Sequence, residues 1–294
     1  MNKQEIENLR KAGKIASETV KYARSIIKQG MKLLDIAEKI EAKIIELGGK
    51  PAFPVNLSID DIAAHYTPSY NDENVAEGLL KVDIGVHVQG QIADTAFSLN
   101  LSGSKENEKL IEASEKALHQ AIKTAGKGIE IWKIGKAIQD EIESLHFSPI
   151  RNLCGHELAN YKVHAGLTIP NCNNRSDVKL HEGVYAIEPF STTGIGMVYD
   201  GKPSGIYRLE ARKAIRDSLA RQILNFIEEE YKTLPFCERW IVNKFGKRAL
   251  LSLHLLEQEK ILHQFPQLIE KNHSPVSQAE HTILVNEKIE IITE

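Results

Sequence analysis

The sequence predicts an α+β protein in which helices pack on one face of a mainly antiparallel sheet. Three observations lead to this class. The chain begins with two amphipathic helical patterns, continues with two adjacent strand patterns, and then returns to two further helices. A later set of strand-like runs, 184–190 and 281–285, matches the first pair of strands. No internal repeat of about 20 to 50 residues is visible, which argues against a solenoid or a propeller.

Four segments carry apolar residues at the spacing of an amphipathic helix. The first of these helices is predicted to end at Gly30, the second at Gly48 and the fourth before Pro149, because glycine and proline commonly end helices. The four predicted helices cover residues 4–28, 33–47, 105–127 and 131–145.

The segment Val82–Leu99 predicts a β-hairpin with a two-residue turn at 89–90. In that register Asp83 and Asp94 are diagonal neighbours on one face, about 7 Å apart at Cα. A three-residue loop would instead place them on opposite faces. Two carboxylates this close in a half-buried sheet repel each other, so one takes up a proton or a cation neutralises both. The alternative is that one aspartate caps a turn and the other faces solvent.

Two more acids lie in strand-like runs, Glu188 within Val184–Phe190 and Glu280 just before 281–285. A buried carboxylate without a partner is costly, so four acids in such positions suggest a shared cation. His156 is a further candidate ligand, because neutral imidazole suits first-row transition metals. A loop of surface histidines is the alternative for this segment.

Composition limits the classes of partner. The net charge is −3, which gives no reason to expect a nucleic acid or an anionic membrane as a partner. The amino-terminal segment is charged and amphipathic, and no stretch has the length of a membrane span. We therefore expect a cytoplasmic protein. Its three widely spaced cysteines do not suggest a disulfide framework.

Five short motifs follow one another from about residue 80 to the carboxyl end of the chain. They are DIGVHV, ADTA, GH before YKVHAG, AIEPF and QAEHTI. In this order and context they resemble the metal-binding motifs of the methionine aminopeptidases. The resemblance implies the pita-bread α+β fold, with two pseudo-symmetric halves. It also implies five metal ligands: Asp83, Asp94, His156, Glu188 and Glu280.

The 91 residues between Glu188 and Glu280 exceed what a connection between two strands needs. Within them, 209–272 is predicted to be mostly helical. This insertion resembles that of the type II enzymes, and the chain looks archaeal in type. We therefore expect a catalytic domain formed by 1–208 and 273–294, with 209–272 as a helical subdomain. From 208 to 273 there are 12 basic and 9 acidic residues, too small an excess to suggest nucleic-acid binding.

The resemblance implies two divalent ions, with Co, Mn, Fe, Zn and Ni all compatible with such ligands. Asp94 and Glu280 would bridge the ions, Asp83 would complete one site, and His156 with Glu188 the other. A hydroxide between the ions would attack the carbonyl that follows an N-terminal methionine, with Glu188 as general base. The expected activity is removal of methionine from nascent polypeptides whose second residue is small.

Six residues are expected to contact the substrate by the same resemblance. His164 would hydrogen-bond the substrate and stabilise the tetrahedral intermediate, and His65 would lie near the scissile amide. Four residues would line the methionine pocket: Phe53, Val163, Phe190 and Ile206. For these four, ordinary core packing is the alternative. A monomer is the family expectation, and the sequence leaves association with the ribosome open.

Two other functions use the same scaffold. A prolidase or Xaa-Pro aminopeptidase would have the same ligand types, but generally carries an extra N-terminal domain, whereas only about 80 residues precede Asp83. A non-catalytic relative that binds protein or nucleic acid would be expected to lack ligands, and none is missing here.

Overall fold

The computed structural model describes residues 1–294. Its seven helices are α1 (Lys3–Ile26), α2 (Leu33–Glu46), α3 (Lys105–Thr124), α4 (Ile131–Ser144), α5 (Ser218–Glu230), α6 (Glu238–Phe245) and α7 (Ala249–Gln258). The first eight strands are β1 (Lys50–Pro51), β2 (Asn56–Ile59), β3 (Ile62–Ala64), β4 (Leu79–Val88), β5 (Gln91–Asn100), β6 (Ser148–Pro149), β7 (Cys154–Leu158) and β8 (Thr168–Pro170). The others are β9 (Gly183–Ile187), β10 (Phe190–Thr192), β11 (Val198–Leu209), β12 (Phe236–Cys237), β13 (Leu262–Glu270), β14 (Val276–Gln278), β15 (His281–Val285) and β16 (Ile289–Ile291).

The four helices predicted from apolar spacing are all present. Each begins and ends within three residues of its predicted bounds. Local capping explains where two of them begin. The side chain of Asn2 accepts a hydrogen bond from Glu5 N at the start of α1, and that of Ser104 accepts one from Asn107 N at the start of α3. These caps satisfy backbone donors that have no partner within the helix.

All strand pairs are antiparallel, which confirms the predicted α+β class. Strand β4 lies between β5 on one side and β1 with β2 on the other. A five-stranded sheet has the order β16-β15-β9-β7-β8. The other two sheets have the orders β14-β10-β6 and β12-β11-β13-β3.

Two helix pairs cover two sheets. Helix α1 packs on β4 and β5 and α2 packs on β1 and β2 of the same sheet, and together they form the largest apolar cluster, which includes Leu9, Ile40 and Val82. Helices α3 and α4 pack on the five-stranded sheet around Ile138 and Ile187. The same arrangement of two helices on antiparallel strands thus occurs twice. No helix is both long enough and apolar enough to cross a bilayer.

The segment 209–272 is helical in its middle, where α5 to α7 form a separate apolar cluster with β11, β12 and β13. The expectation of helix is wrong for Leu262–Glu270, which is strand β13 between β11 and β3. Pro266 lies at the centre of this strand. Proline removes a helical hydrogen bond and clashes with the preceding turn, so it argues against a helix here. Pairing with β3 brings this part of the insertion to the rest of the protein.

Candidate metal centre

Five side chains with potential metal-ligating groups lie together where the two halves of the protein join. Asp83 is on β4, Asp94 on β5 and His156 on β7. Glu188 directly follows β9, and Glu280 directly precedes β15. All five line one cavity. The structure therefore brings together every residue proposed as a ligand from the sequence.

The register of the β4–β5 hairpin places both aspartates on the same face. The turn residues Gln89 and Gly90 have φ values of 51° and 85°. Positive φ at both central residues is typical of a two-residue hairpin turn. In this register Asp83 and Asp94 lie two residue pairs apart. The two-residue turn predicted from the sequence is confirmed, and with it the shared face.

Backbone contacts fix the two halves of the cluster relative to each other. Ala96 and Glu280 form an isolated antiparallel bridge, in which Glu280 N donates to Ala96 O at 2.9 Å. The Thr282 hydroxyl accepts from Asp94 N at 2.7 Å and donates to Asp94 O at 2.8 Å. The Thr95 hydroxyl donates to Glu280 O at 2.9 Å. The backbones of Asp94 and Glu280 are thus held together although they lie far apart in the chain.

The side-chain distances suit a shared cation. His156 Nε2 lies 3.5 Å from Glu188 Oε1 and 3.8 Å from Asp94 Oδ2. One ligand atom each from Asp94, His156 and Glu280 lies within 4.8 Å of the others. Atoms that bind one first-row metal ion at about 2.0 to 2.2 Å have comparable separations.

The electrostatics of the cluster also indicate a cation. Burial raises the pKa of Asp83 to about 7. Burial, followed by repulsion from neighbouring carboxylates, raises the pKa values of Asp94 and Glu280 well above their usual range, and burial and Asp83 do so for Glu188. Burial lowers the pKa of His156 to about 3, so its imidazole is neutral and can bind a metal.

Two carboxylate oxygens in the cluster, Asp83 Oδ1 and Asp94 Oδ1, are buried and have no hydrogen-bond partner. A buried charge without compensation costs about 3–5 kcal/mol. Divalent ions would supply both the missing partners and the missing positive charge. The residues of the site therefore fit a divalent metal centre.

The cavity that opens onto this cluster contains most of the residues expected to contact a substrate. His65 and His164 line it, and so do three apolar residues, Phe53, Val163 and Ile206. Metal-ligating groups thus lie beside an apolar recess.

Comparison with known proteins identifies the family. A family model described as metallopeptidase family M24 matches residues 7–231. A methionine aminopeptidase of Pyrococcus abyssi is 47% identical over 294 residues, covering 98% of this chain and 99% of that protein. One of Methanocaldococcus jannaschii is 44% identical over 291 residues, covering 98% of each. The chain belongs to the methionine aminopeptidases of metallopeptidase family M24.

Among solved structures, the methionine aminopeptidase of Thermotoga maritima has a TM-score of 0.72 at 22% sequence identity, covering 100% of this chain and 98% of that one. This likeness shows that the two proteins share the pita-bread fold. The family model and the two sequence relatives confirm the family assignment inferred from the five short motifs, and both relatives are archaeal, as the sequence suggested.

Two histidines in the cavity, His65 and His164, are held differently. His65 has a left-handed backbone with φ of 63°, and its Nδ1 lies 3.1 Å from Pro266 O. Because a carbonyl only accepts, Nδ1 carries the hydrogen and Nε2 of the neutral ring is an acceptor. Burial lowers the pKa of His65. His164 lies at the rim, 4.4 Å from His156 between ring centroids, and partial burial lowers its pKa to about 4.

Phe190 is the one predicted pocket residue that does not line this cavity. It is only 1% exposed and packs with Ala64, Ile150 and Val276 in a small apolar cluster. It lines an adjoining cavity that also reaches Glu188. Its expected contact with a methionine side chain stays a prediction.

Sequence reasoning missed four residues that line the main cavity: Asn56, Ala64, Pro235 and Phe265. Phe265 is on β13, in the segment expected to be helical, so no local pattern assigned it to the site. Its ring lies 5.5 Å from that of His65 in an edge-on arrangement. The pairing of β13 with β11 and with β3 brings Phe265 to the cavity.

Proposed function

We propose that this protein removes the N-terminal methionine from newly made polypeptides whose second residue is small. One observation carries the proposal: four carboxylates, of which Asp94 and Glu280 are fully buried, and a neutral histidine line one cavity together with apolar side chains. Membership of the methionine aminopeptidase family supports the same activity. Dependence on divalent metals follows from membership of the metallopeptidase family.

We propose Asp94 and Glu280 as ligands shared by two ions, with Asp83 at one ion and His156 with Glu188 at the other. The central positions of Asp94 and Glu280, joined through the backbone, support this assignment. When bound, divalent ions polarise a carbonyl and lower the pKa of water into the neutral range. The ligand chemistry is compatible with Co, Mn, Fe, Zn or Ni.

The chain's own residues would orient the substrate and move its protons. His65 Nε2, an acceptor, can receive a hydrogen bond from the scissile amide N–H. His164, neutral at pH 7, retains one N–H that can donate to the substrate carbonyl and to the charge that develops on it. Glu188, whose burial raises its pKa, is the proposed general base. Each assignment uses a residue that lines the cavity.

The apolar recess would hold the methionine side chain. Phe53, Val163 and Ile206 support this proposal by their place in the cavity lining, and Phe265 adds a further aromatic surface. Phe190 would act from the adjoining cavity. The requirement for a small second residue is carried over from the family to which the chain belongs.

We also propose that residues 1–208 with 273–294 form the catalytic domain and 209–272 an inserted subdomain. The separate apolar cluster of α5 to α7 supports this division. We place the enzyme in the cytoplasm, because its substrates would be the N-termini of nascent chains made there. We propose a monomer, as the resemblance to the family implies. Cosedimentation with ribosomes would test whether the enzyme binds these nascent chains at the ribosome.

The activity can be tested with metal-free protein titrated with Mn or Co and supplied with Met-Ala-Ser or Met-Lys-Ser. We expect metal-dependent release of methionine from Met-Ala-Ser only. His164→Ala should lower kcat by about 10²-fold or more while metal content is unchanged. Peptides that begin Ala-Pro serve as the control for a prolidase-like activity.

Two results would contradict the proposed function. Cleavage of the Ala-Pro peptides in place of Met-Ala-Ser would show a different exopeptidase specificity. Binding of about two metal ions without cleavage of any peptide would show a non-catalytic member of the family.

A further inference from the structure

Besides Val163, two separate parts of the chain contribute to the lining of the methionine recess. Phe53 lies between β1 and β2, and Asn56 is the first residue of β2; we call these two residues the body wall. Ile206 is on β11, and Pro235 directly precedes β12; we call these two residues the insertion wall. The shape of the recess therefore depends on how the inserted helices are held against the body.

One buried carboxylate contacts both walls. Glu41 on α2 is 6% exposed, and its Oε1 accepts from Val55 N at 3.3 Å, between the two residues of the body wall. The same carboxylate receives two hydrogen bonds of 2.8 Å from Arg239 on α6. Trp240 Nε1 also donates to Glu41, at 2.8 Å. The Glu41 carboxylate thus accepts hydrogen bonds from both parts of the chain.

Arg239 connects this carboxylate to the insertion wall. Its side chain is 1% exposed, and its Nε donates to Pro68 O at 3.2 Å. Arg239 follows β12 by two residues, and within β12 Cys237 pairs with Ile206. Pro235 directly precedes the same strand. A displacement of Arg239 would therefore be passed through β12 to both residues of the insertion wall.

Stability alone is a weak explanation for such a pair. Replacing a buried ion pair by apolar side chains of similar volume is often neutral or stabilising. The planar guanidinium and the carboxylate do, however, fix distance and direction through two parallel hydrogen bonds. We propose that the Glu41–Arg239 pair is a positioning device that sets the spacing between the body wall and the insertion wall. This inference rests on the proposed function.

The test compares four proteins: the wild type, Glu41→Asp, the double variant E41M/R239M, and Glu290→Gln. Glu41→Asp keeps the negative charge but shortens the side chain by one methylene group. The double variant removes the negative charge of Glu41 and the positive charge of Arg239 at the same time, so neither is left unpaired. Glu290→Gln is the matched control, because Glu290 forms a bidentate pair with Arg10 at 2.7 and 2.8 Å that is exposed and does not line the recess.

We expect Glu41→Asp and E41M/R239M to lower kcat/KM for Met-Ala-Ser by about 10- to 100-fold, mostly through a higher KM, since no ligand or histidine of the site is changed. The preference for methionine over leucine at the first position should fall as well. Isothermal titration calorimetry should show weaker binding of free L-methionine. Glu290→Gln should match the wild type in all three measurements.

The proposal is overturned if either Glu41 variant is folded at the assay temperature and keeps the wild-type KM, methionine preference and methionine affinity. That result would make the pair purely structural. If the double variant unfolds, the result for Glu41→Asp alone tests the proposal, since that variant retains both charges. Failure of the wild type to release methionine would instead contradict the proposed function, and methionine affinity would still test the pair.

Discussion

At the residue scale, the site consists of groups that are costly to bury in their charged form. Burial raises the pKa of Asp83 to about 7 and lowers that of His156 to about 3. The same desolvation therefore favours a protonated acid and a neutral imidazole. Metal binding changes this balance, because coordination requires the carboxylates to be ionised.

A first prediction follows for the metal-free protein. Between about pH 4 and pH 7 the unfolded Asp83 is ionised while the folded one keeps its proton, so Asp83 destabilises the fold increasingly as pH rises through this window. Asparagine does not titrate. The melting temperature of Asp83→Asn should therefore rise relative to that of the wild type as pH increases from 4 to 7, as measured by differential scanning fluorimetry with chelator.

The exposed Asp177 provides the control for this comparison, through Asp177→Asn. Melting temperatures of Asp83→Asn and wild type that run parallel across the whole range would contradict the raised pKa.

A second prediction concerns the strained backbone at His65. Its φ of 63° lies in the left-handed region, which asparagine tolerates better than most residues. His65→Asn should therefore keep the local fold and melt within a few degrees of the wild type. It should lower kcat by about 10²-fold, because the imidazole acceptor is lost. Steady-state kinetics on Met-Ala-Ser would show this, and unchanged kcat would exclude His65 from the reaction.

At the element scale, the site depends on the contact between β5 and the segment that begins β15. The Thr282 hydroxyl forms hydrogen bonds with both the N–H and the C=O group of Asp94. The backbone bridge between Ala96 and Glu280 lies beside it. The two elements come from different halves of the fold. Small shifts between them would change the separation of the two proposed bridging ligands.

A third prediction tests this contact. Thr282→Val replaces the hydroxyl by a methyl group of similar size and leaves Asp94 N without its partner. We expect the Kd for Mn, measured by calorimetry on metal-free protein, to rise by about 10- to 100-fold, as for other groups that orient ligands. Thr282→Ser keeps the hydroxyl and should bind Mn nearly as the wild type does. Equal affinity of the valine variant would show that strand pairing alone sets the ligand geometry.

Secondary structure was predictable where one local pattern dominated. The β4–β5 register followed from alternation and from a two-residue turn, so Asp83 and Asp94 were correctly placed on one face. The strand Leu262–Glu270 was wrongly expected to be helical, because most of its residues are partly buried and show no clean alternation. Pro266 was the available signal, since proline is disfavoured inside a helix.

At the scale of the whole molecule, the protein is itself a possible substrate of its own proposed activity. Its second residue, Asn2, is not small, and it caps α1 by accepting from Glu5 N. Met1 is about half exposed.

The fourth prediction is that Met1 is retained. The intact mass of protein expressed in cells with active methionine excision should include Met1. A mass lower by one methionine would contradict the rule of a small second residue as applied here.

The ligand types, the family and the faces of the local elements could all be inferred from the amino-acid sequence. These features follow from short motifs and from the regular spacing of apolar residues in helices and strands, both of which involve residues close together in the sequence. That Phe265 and Pro235 line the cavity and that Glu41 pairs with Arg239 became visible only in the folded chain. These contacts join segments distant in sequence, and their energy comes from packing and desolvation, which leave no periodic signal in either segment.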